Sequence, residues 1–167
     1  MESETHAPDE ERRRRARLLF YKAYRAQCKG DLEEAVRLYQ QSIRECPTAE
    51  AYTFLGWTYS FMGKLEEAIQ ECMKAIETDP EYGNPYNDIG AYLIELGRLQ
   101  EAIPWLEKAL RAQRYDHRCF PWMNLGRIWE RLAWWEEALI CYKRALECDS
   151  NYEPAAKAVA RLRGMFN

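Results

Sequence analysis

The chain has 167 residues, of which 47% are apolar and 31% charged, as is typical of a soluble globular protein of about one domain. Its formal net charge is −3, so the total charge does not indicate a nucleic-acid partner. No apolar stretch approaches the ~20 residues that a membrane span needs, so we expect no membrane partner. Residues 1–11 lack a hydrophobic segment behind a basic start, so we expect no secretory signal and a cytoplasmic protein.

The N-terminal region is predicted to be a disordered tail over residues 1–8, followed by a helix that begins near Asp9. A basic run at Arg12–Arg15 and Arg17 could bind an anionic partner, either nucleic acid or a lipid head group. The simpler interpretation is a solvated helix face, because the preceding acids stand four residues before basic ones in the favoured order. The predicted pairs are Asp9–Arg13, Glu10–Arg14 and Glu11–Arg15.

Beyond this run, the same pattern of about fifteen residues recurs four times. A small residue recurs at Ala23, Gly56, Gly90 and Gly126. A turn residue recurs at Gly30, Gly63, Gly97 and Ala133, and an alanine recurs at Ala35, Ala68, Ala102 and Ala138. All three series step by 33, 34 and 36 residues, which indicates an internal repeat.

Each repeat is predicted to contain two helices. In the second repeat, apolar residues recur at three- and four-residue intervals from Tyr52 to Met62, then Gly63 interrupts the pattern. A second apolar stripe runs from Leu65 to Ile76 and ends before Pro80, because proline disfavours helix in the residue before it. Strand-like alternation of apolar and polar residues is missing throughout the sequence.

The mid-helix glycines predict close contact between helices. Glycine costs about 1 kcal/mol relative to alanine inside a helix, so three equivalent glycines indicate a neighbour that leaves no room for a side chain. We expect the recurring alanines Ala68, Ala102 and Ala138 to be the facing positions. The turn glycines are natural helix C-caps, and Ala133, which replaces glycine in the fourth repeat, predicts a tighter or strained turn.

Several helix starts and one irregularity can be predicted. Asn84 is expected to cap a helix that has Pro85 in its first turn, and Thr48 is expected to cap the helix after Pro47. Similar starts are expected at Pro121 and Pro154. Pro104 should remove one backbone hydrogen bond and bend its helix.

These residues resemble the tetratricopeptide repeat, whose period is about 34 residues. The second repeat offers Tyr52, Leu55, Gly56, Tyr59, Ala68, Cys72, Ala75 and Pro80. The fourth offers Trp122, Leu125, Gly126, Trp129, Ala138, Tyr142 and Ala145. The third offers Tyr86, Ile89, Gly90, Ala102, Leu106 and Ala109, and the first is degenerate.

The resemblance implies an all-α fold, a right-handed α-solenoid of antiparallel helix pairs with nine helices in one structural domain. The predicted repeats cover residues 9–48, 49–82, 83–118 and 119–152. Residues 153–167 are predicted to form a terminal helix that covers the apolar face of the last repeat.

The sequence does not indicate an enzyme. It contains neither a Gly-rich phosphate-binding loop nor a serine or cysteine with a histidine implied beside it. The six cysteines form no C-x-x-C pair, and only two histidines are present, so we expect reduced, unreactive thiols, with disulfides or a metal site as the alternatives. No cofactor and no metal are expected.

The function predicted is instead that of a scaffold or adaptor that binds a protein or peptide segment. The resemblance implies that the first helix of each pair lines a concave groove, and the spacing places each set of positions on one helix face. The predicted groove residues are Phe20, Tyr24, Gln27, Thr53, Trp57, Asn84, Asn87, Phe120, Met123, Arg127, Lys157 and Arg161. Aromatic residues would anchor the partner, Asn87 would bind its backbone, and Arg127 and Arg161 would bind a carboxylate.

Two other interpretations concern the family and the outer face. Relatives that grip the carboxylates of heat-shock proteins carry Lys, Asn and Arg at positions that here are Phe20, Tyr24, Phe54, Asn84 and Asp88, so we reject that role. The alternative function is a structural homo-oligomer, with no peptide ligand, that associates through the outer helices. Its candidate surface is Trp105, Trp134 and Ile140, unless these pack beneath the insertion near residues 115–119.

Overall fold

A computed structural model describes residues 6–165, and within this range the chain forms nine α-helices and no strand. Residues 1–5 of the predicted tail lie outside the described residues. The first helix begins at His6, three residues before the predicted start. The helices are α1 (His6–Lys29), α2 (Leu32–Glu45), α3 (Ala49–Phe61), α4 (Leu65–Thr78), α5 (Asn84–Glu95), α6 (Leu99–Arg111), α7 (Cys119–Arg131), α8 (Trp135–Cys148) and α9 (Glu153–Met165).

The chain divides into two compact units, which we call unit 1 (residues 1–80) and unit 2 (residues 81–167). Unit 1 contains α1 to α4, and α1 packs on α2, α2 on α3 and α3 on α4. Unit 2 contains α5 to α9, in which α5 packs on α6, α7 on α8, and α9 covers α8. The predicted all-α fold of helix pairs is confirmed, while the expectation of a single structural domain stays a prediction.

Short turns make the helices of each pair antiparallel, and each turn contains one residue with positive φ. These residues are Gly30 (φ +85°), Gly63 (+74°), Gly97 (+77°) and Ala133 (+61°). The residue after each closes the helix end by donating its N–H to a carbonyl five residues earlier, as in Lys64 to Tyr59 at 3.0 Å and Trp134 to Trp129 at 2.9 Å. Ala133 therefore adopts the left-handed conformation that its equivalents reach without a Cβ, and the predicted strain in this turn is confirmed.

Replacing Ala133 by glycine should stabilise the protein by about 1 kcal/mol, because glycine adopts a positive φ without the steric cost of a Cβ. Urea unfolding monitored by circular dichroism measures the change. The matched control is Gly63→Ala, which introduces the same strain into the turn of unit 1 and should lower the stability by a similar amount. A neutral result for both variants would contradict the strain.

The mid-helix glycines lie where helices approach most closely, as predicted. A Cβ on Gly56 would lie 2.9 Å from the backbone oxygen of Ala68, and one on Gly90 would lie 2.6 Å from Cγ of Leu106. A Cβ on Gly126 would similarly overlap the ring of Tyr142. The predicted facing positions were partly wrong: the alanine contributes in the second repeat, but in the next two the contact is with the large residue four positions further on.

Of the two predicted helix N-caps, one is confirmed and the other is wrong. The Thr48 hydroxyl accepts a hydrogen bond from the N–H of Ala51 at 3.1 Å, so it caps α3. Asn84 does not cap α5: it is the first helical residue, and Gly83 takes the cap position. Gly83 is needed there because a Cβ would overlap the side chain of Tyr115, which is buried.

Buried alanines and large side chains alternate in the cores of both units. Ala23, Ala35 and Tyr39 are fully buried in unit 1, and Ala138 and Leu162 are fully buried in unit 2, where α9 covers α8. Pro104 lies inside α6, which nevertheless continues to Arg111. One face of the first helix in each pair thus packs into the core, and its other face carries the candidate site residues.

Candidate functional site

Unit 1 carries a continuous surface of aromatic side chains, which we call the aromatic surface. Its rings follow one another at centroid distances of 5.2 Å for Phe20–Phe54, 5.8 Å for Tyr24–Phe54, 5.6 Å for Phe54–Trp57 and 5.2 Å for Trp57–Phe61. The first three contacts are edge-to-face, an arrangement that aromatic pairs favour. The aromatic surface therefore consists of Phe20, Tyr24, Phe54, Trp57 and Phe61.

The helical spacing of these residues explains why they share one surface. Phe20 and Tyr24 are four residues apart on α1, and Phe54, Trp57 and Phe61 stand at i, i+3 and i+7 on α3. Phe20 also contacts the buried Tyr39 ring at 5.4 Å, which anchors the surface to the core. Tyr24, Trp57 and Phe61 remain 42%, 41% and 55% exposed, so three rings of the set are open to solvent.

Two predicted groove residues of unit 1 are turned into the fold. Gln27 is buried and its Oε1 accepts a hydrogen bond from the Tyr39 hydroxyl at 2.8 Å. Thr53 is buried as well and donates its hydroxyl to the carbonyl of Ala49 at 2.7 Å. Both residues support the helices that carry the aromatic surface, and their place in a binding groove stays a prediction.

A cavity of about 630 Å³ opens beside the aromatic surface, between the first half of α1, the end of α2 and the start of α3. Phe20 and Phe54 line it and belong to both features. Its other lining residues are Arg13, Ala16, Arg17, Tyr21, Ser42, Cys46, Thr48 and Glu50. The volume is in the range of ligand-binding pockets.

In unit 2, the predicted residues Asn87 and Arg127 are joined by Asn124, which was not predicted as a site residue. Asn124 donates its amide to Oδ1 of Asn87 at 3.1 Å and accepts a hydrogen bond from the Arg127 guanidinium at 3.1 Å. Asn87 and Asn124 are both buried. The carbonyl oxygen of Asn87 is thus used within unit 2, and its predicted contact with a partner's backbone stays a prediction.

Four predicted groove residues of unit 2 come together around a second cavity, of about 570 Å³. They are Met123, Arg127, Lys157 and Arg161. Arg161 already binds a carboxylate within unit 2, because its guanidinium contacts Glu130 at 2.6 and 2.8 Å. Lys157 likewise pairs with Glu153 at 2.5 Å. The Tyr142 hydroxyl donates to the same Glu130 carboxylate at 2.7 Å.

The contact with Arg161 holds the pKa of Glu130 below its ordinary value, and the Tyr142 hydroxyl adds to this effect. An acid whose pKa is lowered on folding stabilises the folded state above its unfolded pKa of about 4.3, and this stabilisation is lost as pH falls through the lower folded value. Glu130→Gln should therefore cost about 1 kcal/mol at pH 7 and much less under strongly acidic conditions. Urea unfolding at both pH values measures this difference, with Glu153→Gln, an exposed acid on α9, as the control.

The remaining predicted groove residues occupy separate positions. Phe120 is partly exposed, stacks on His117 with a centroid distance of 5.4 Å, and meets the Tyr152 ring edge-to-face at 5.6 Å. Asn84 is half-buried at the start of α5. Neither lines the second cavity.

The three residues of the predicted oligomer surface have different surroundings. Trp105 is half-buried, packs against Tyr86 and is covered by the Lys108 ammonium at 4.5 Å from its ring. Trp134 and Ile140 are 54% and 57% exposed, but Trp134 stacks on Trp129 at 5.3 Å. The predicted oligomer surface and the alternative of packing beneath the insertion both stay predictions.

The basic run of α1 forms fewer ion pairs than predicted. Arg13 pairs with Asp9 at 3.3 Å as expected, but Arg15 contacts Glu45 of α2 at 3.6 Å instead of Glu11. Within the described residues, Arg14 and Arg17 form no ion pair.

Three further features of the described chain concern metal ligands, thiols and membranes. Between His6 and Met165, no group of three His, Cys, Asp or Glu residues is arranged to hold a metal ion. The six cysteines are free thiols, with Cys72, Cys119 and Cys141 buried and Cys28 and Cys148 exposed. None of the helices in this range combines the length and the apolar character that crossing a membrane requires.

Several residues of these sites were not predicted from the sequence. Phe54 and Phe61 stand at i−3 and i+4 from Trp57, so the helical spacing that singled out Trp57 could have found them. Asn124, which ties Asn87 to Arg127, left no comparable signal, because its partner lies 37 residues away.

Antiparallel helix pairs in a repeat of about 34 residues, with glycines at their closest approach, define the class of helical-repeat protein-interaction scaffolds. Scaffolds of this class are typically non-catalytic. The chain belongs to the tetratricopeptide-repeat family. The family description "Tetratricopeptide repeat" matches residues 49–82, 71–103 and 119–152, which together cover more than half of the chain.

Curated relatives are similar to part of the chain. The chain is 38% identical over 87 residues to the protein SGT1 homolog of Oryza sativa subsp. japonica, covering 52% of this chain and 24% of that protein. It is 32% identical over 75 residues to the TPR repeat-containing thioredoxin TTL4 of Arabidopsis thaliana, covering 44% and 11%. It is 27% identical over 104 residues to the small glutamine-rich tetratricopeptide repeat-containing protein 2 of Mycosarcoma maydis, covering 62% and 30%. The chain thus spans less than a third of the length of each relative.

Solved structures agree on the fold. The structure of Pseudomonas aeruginosa pilF superposes with a TM-score of 0.82 at 22% identity, covering 92% of this chain and 68% of that one. The type IV pilus biogenesis factor PilW superposes with a TM-score of 0.81 at 20% identity, covering 90% and 69%. At this level of identity the similarity establishes the tetratricopeptide-repeat fold alone.

Proposed function

We propose that this protein is a non-catalytic adaptor that binds an extended or helical protein segment on the aromatic surface of unit 1. The observation that carries the proposal is that surface itself, on which Tyr24, Trp57 and Phe61 stay 41–55% exposed although each touches a neighbouring ring. Exposed aromatic patches of this kind mark protein-interaction sites more often than isolated exposed residues do. The six free thiols support a reducing, cytoplasmic environment.

The physical basis is the energy that aromatic anchors supply. Tryptophan and tyrosine dominate interface hot spots because they bury a large apolar area with few rotatable bonds. Here the rings are held by one another and, through Phe20, by the core, so little side-chain freedom remains to be lost on binding. Tyr24 and Trp57 also carry a hydroxyl and an indole N–H with which to orient a partner's backbone.

Unit 2 offers a second, more polar contact region. Met123 supplies an apolar wall to its cavity. The guanidinium of Arg127 is held in place by its hydrogen bond to the Asn124 side-chain amide. Arg127 is the predicted groove cation in this cavity that forms no ion pair in the described part of the chain, which makes it the best candidate there for a partner's carboxylate. We assign it a supporting role beside the aromatic surface.

Affinity capture with paired variants tests the proposal. The wild-type protein and a Tyr24→Ala/Trp57→Ala variant are used to capture partners from the same extract, and each partner identified is then measured with purified components. We expect the double variant to weaken binding by about a hundredfold, since each aromatic anchor contributes about 1–2 kcal/mol or more.

The matched control is Trp134→Ala, which removes a tryptophan of unit 2 that is exposed to at least the same degree as Trp57. Thermal unfolding confirms that all variants remain folded. Partners retained equally by the wild type and the Tyr24→Ala/Trp57→Ala variant would show that the aromatic surface is not the binding site.

Self-association is the second candidate, and the exposure of Trp134 and Ile140 is the observation in its favour. Light scattering over a range of concentrations distinguishes the two. A mass that rises with concentration in the wild type and not in a Trp134→Ala/Ile140→Ala variant would support the oligomer, and a constant monomer mass would exclude it.

A further inference from the structure

We propose that the unit 1 cavity selects acidic protein segments, receiving a large apolar side chain between Phe20 and Phe54 while Arg13 and Arg17 bind a neighbouring Asp or Glu of the same segment. This inference rests on the proposed function and specifies the chemistry of the partner. It goes beyond the aromatic surface, because the arginines lie on the first half of α1, outside that surface.

Apart from Arg13, Arg17 and Glu50, the cavity wall is largely apolar, even where it contains hydroxyl groups. Ser42 donates its hydroxyl to the carbonyl of Ala16 at 2.8 Å, and Thr48 accepts from the N–H of Ala51 at 3.1 Å. Both groups are thus engaged within the fold. The cavity therefore presents the rings of Phe20 and Phe54 to a bound side chain, an environment in which burying apolar surface is favourable.

The helix that forms one wall of the cavity, α1, is strongly basic. Helix α1 carries eight basic and three acidic side chains, in a protein whose net charge is −3. Arg17 lines the cavity and forms no ion pair within the described residues. Arg13 also lines it, and its pair with Asp9 is exposed and contributes little. Two guanidinium groups are therefore available to bind carboxylates in a bidentate manner.

The cavity and the aromatic surface form one path within unit 1, because Phe20 and Phe54 belong to both. A segment lying across the rings of Tyr24 and Trp57 would continue past Phe20 towards Arg13 and Arg17. Tyr21, also exposed, stands beside Phe20 at 6.0 Å along this path. The acidic and apolar parts of the partner should therefore be adjacent in sequence.

A protein segment fits these walls better than a nucleic acid or a lipid surface does. Glu50 lines the cavity together with the two arginines, so the lining carries charges of both signs rather than the uniformly basic face that a row of phosphates needs. The cavity is also concave, whereas a membrane surface needs a flat or protruding basic face. Nucleic acid and anionic lipid enter the test as outcomes that would overturn the proposal.

The probes are four synthetic peptides of equal length with one label. The first combines a central Phe-Leu pair with flanking Asp and Glu residues, the second replaces the acids by Asn and Gln, the third replaces Phe-Leu by Ala-Ala, and the fourth replaces the acids by Lys. We expect the first to bind tightest, by about tenfold over the second and third, and the fourth not to bind.

Arg13→Gln/Arg17→Gln should abolish the preference for the first peptide over the second. The matched control is Arg14→Gln/Arg25→Gln, which removes the same charge from the same helix at exposed positions that do not line the cavity. Equal losses for both variants would indicate general electrostatic attraction and overturn the proposal. A single-stranded oligonucleotide or an anionic phosphatidylserine vesicle that binds more tightly than the first peptide, and competes with it, would also overturn it.

Cys46 provides a position-specific readout because its half-buried thiol lines the cavity. In a Cys28→Ser/Cys148→Ser background, which removes the exposed thiols, the first peptide should slow alkylation of Cys46 and the second should not. Peptide binding that leaves this rate unchanged would place the peptide elsewhere and overturn the inference.

The failure of the inference and of the proposed function are distinguishable. If all four peptides bind equally and Tyr24→Ala/Trp57→Ala weakens each of them, the aromatic surface binds segments without charge selection, and only the inference fails. If captured partners bind the Tyr24→Ala/Trp57→Ala variant as tightly as the wild type, the proposed function fails as well.

Discussion

Replacing Leu106 by alanine will lower the free energy of unfolding by about 3 kcal/mol, because Leu106 is fully buried in α6 against Gly90 of α5. The loss includes both the transfer of the leucine side chain and the cavity left behind, since the surrounding helices collapse only partly. In a protein of this size the midpoint of thermal unfolding should fall by about 6–12 °C. Urea and thermal unfolding measure both quantities.

The contact between Leu106 and Gly90 makes a sharper test possible. Gly90→Ala alone should cost about 2 kcal/mol, because the new Cβ would overlap the leucine side chain. In the double variant the added methyl group enters space that Leu106→Ala vacates. The double variant should therefore be at least about 1 kcal/mol more stable than the sum of the single effects predicts. Strict additivity would contradict the packing of α5 on α6.

Gly56→Ala should cost about 2 kcal/mol, and here no side-chain replacement should rescue it. A Cβ at this position would lie 2.9 Å from the backbone oxygen of Ala68 and 3.2 Å from Sγ of Cys72. The first contact is with backbone, so α3 and α4 must move apart to accommodate it. Chemical denaturation should show the loss, and Cys72→Ala in the same chain should recover little of it.

Gly164→Ala is the control for the helix propensity of glycine. Gly164 lies in α9, and no atom lies within 4 Å of the position that a Cβ would take there, so alanine should be neutral or stabilising by up to about 1 kcal/mol. A destabilisation at Gly164 equal to that at Gly56 would mean that close approach is not the reason for the loss at Gly56.

The fold could be predicted from the sequence because each of its signals is local and repeated. Gly30, Gly63, Gly97 and Ala133 each end a helix through their own φ angle, so their spacing alone indicated the helix pairs. What could not be predicted was which large side chain meets each glycine. The facing residue depends on the rotation of one helix against another, and this rotation placed Leu106 and Tyr142, rather than Ala102 and Ala138, closest to Gly90 and Gly126.

From the sequence, we could predict which helix faces carry the candidate site, but not which side chains on those faces are exposed. Tyr24 and Trp57 are exposed on the predicted faces, but Gln27 and Thr53, from the same pattern, are satisfied inside the fold by Tyr39 and Ala49. The hydrogen bond that decides the case of Gln27 joins residues 12 apart in sequence, whereas Thr53 bonds to the carbonyl four residues earlier. The pairing of Arg161 with Glu130, which lie 31 residues apart, is another example, because nothing in the local pattern of α9 indicates it.

The residue that faces the mid-helix glycine differs in size between the pairs, from Cys72 through Leu106 to Tyr142. The repeats are consequently not interchangeable: placing α4 where α6 lies would leave a void at the position of Leu106, and the reverse exchange would place a leucine where the smaller Cys72 packs near Gly56. Any variant with fewer, more or reordered repeats should therefore keep the two helices of each pair together, because their contact residues are complementary in size.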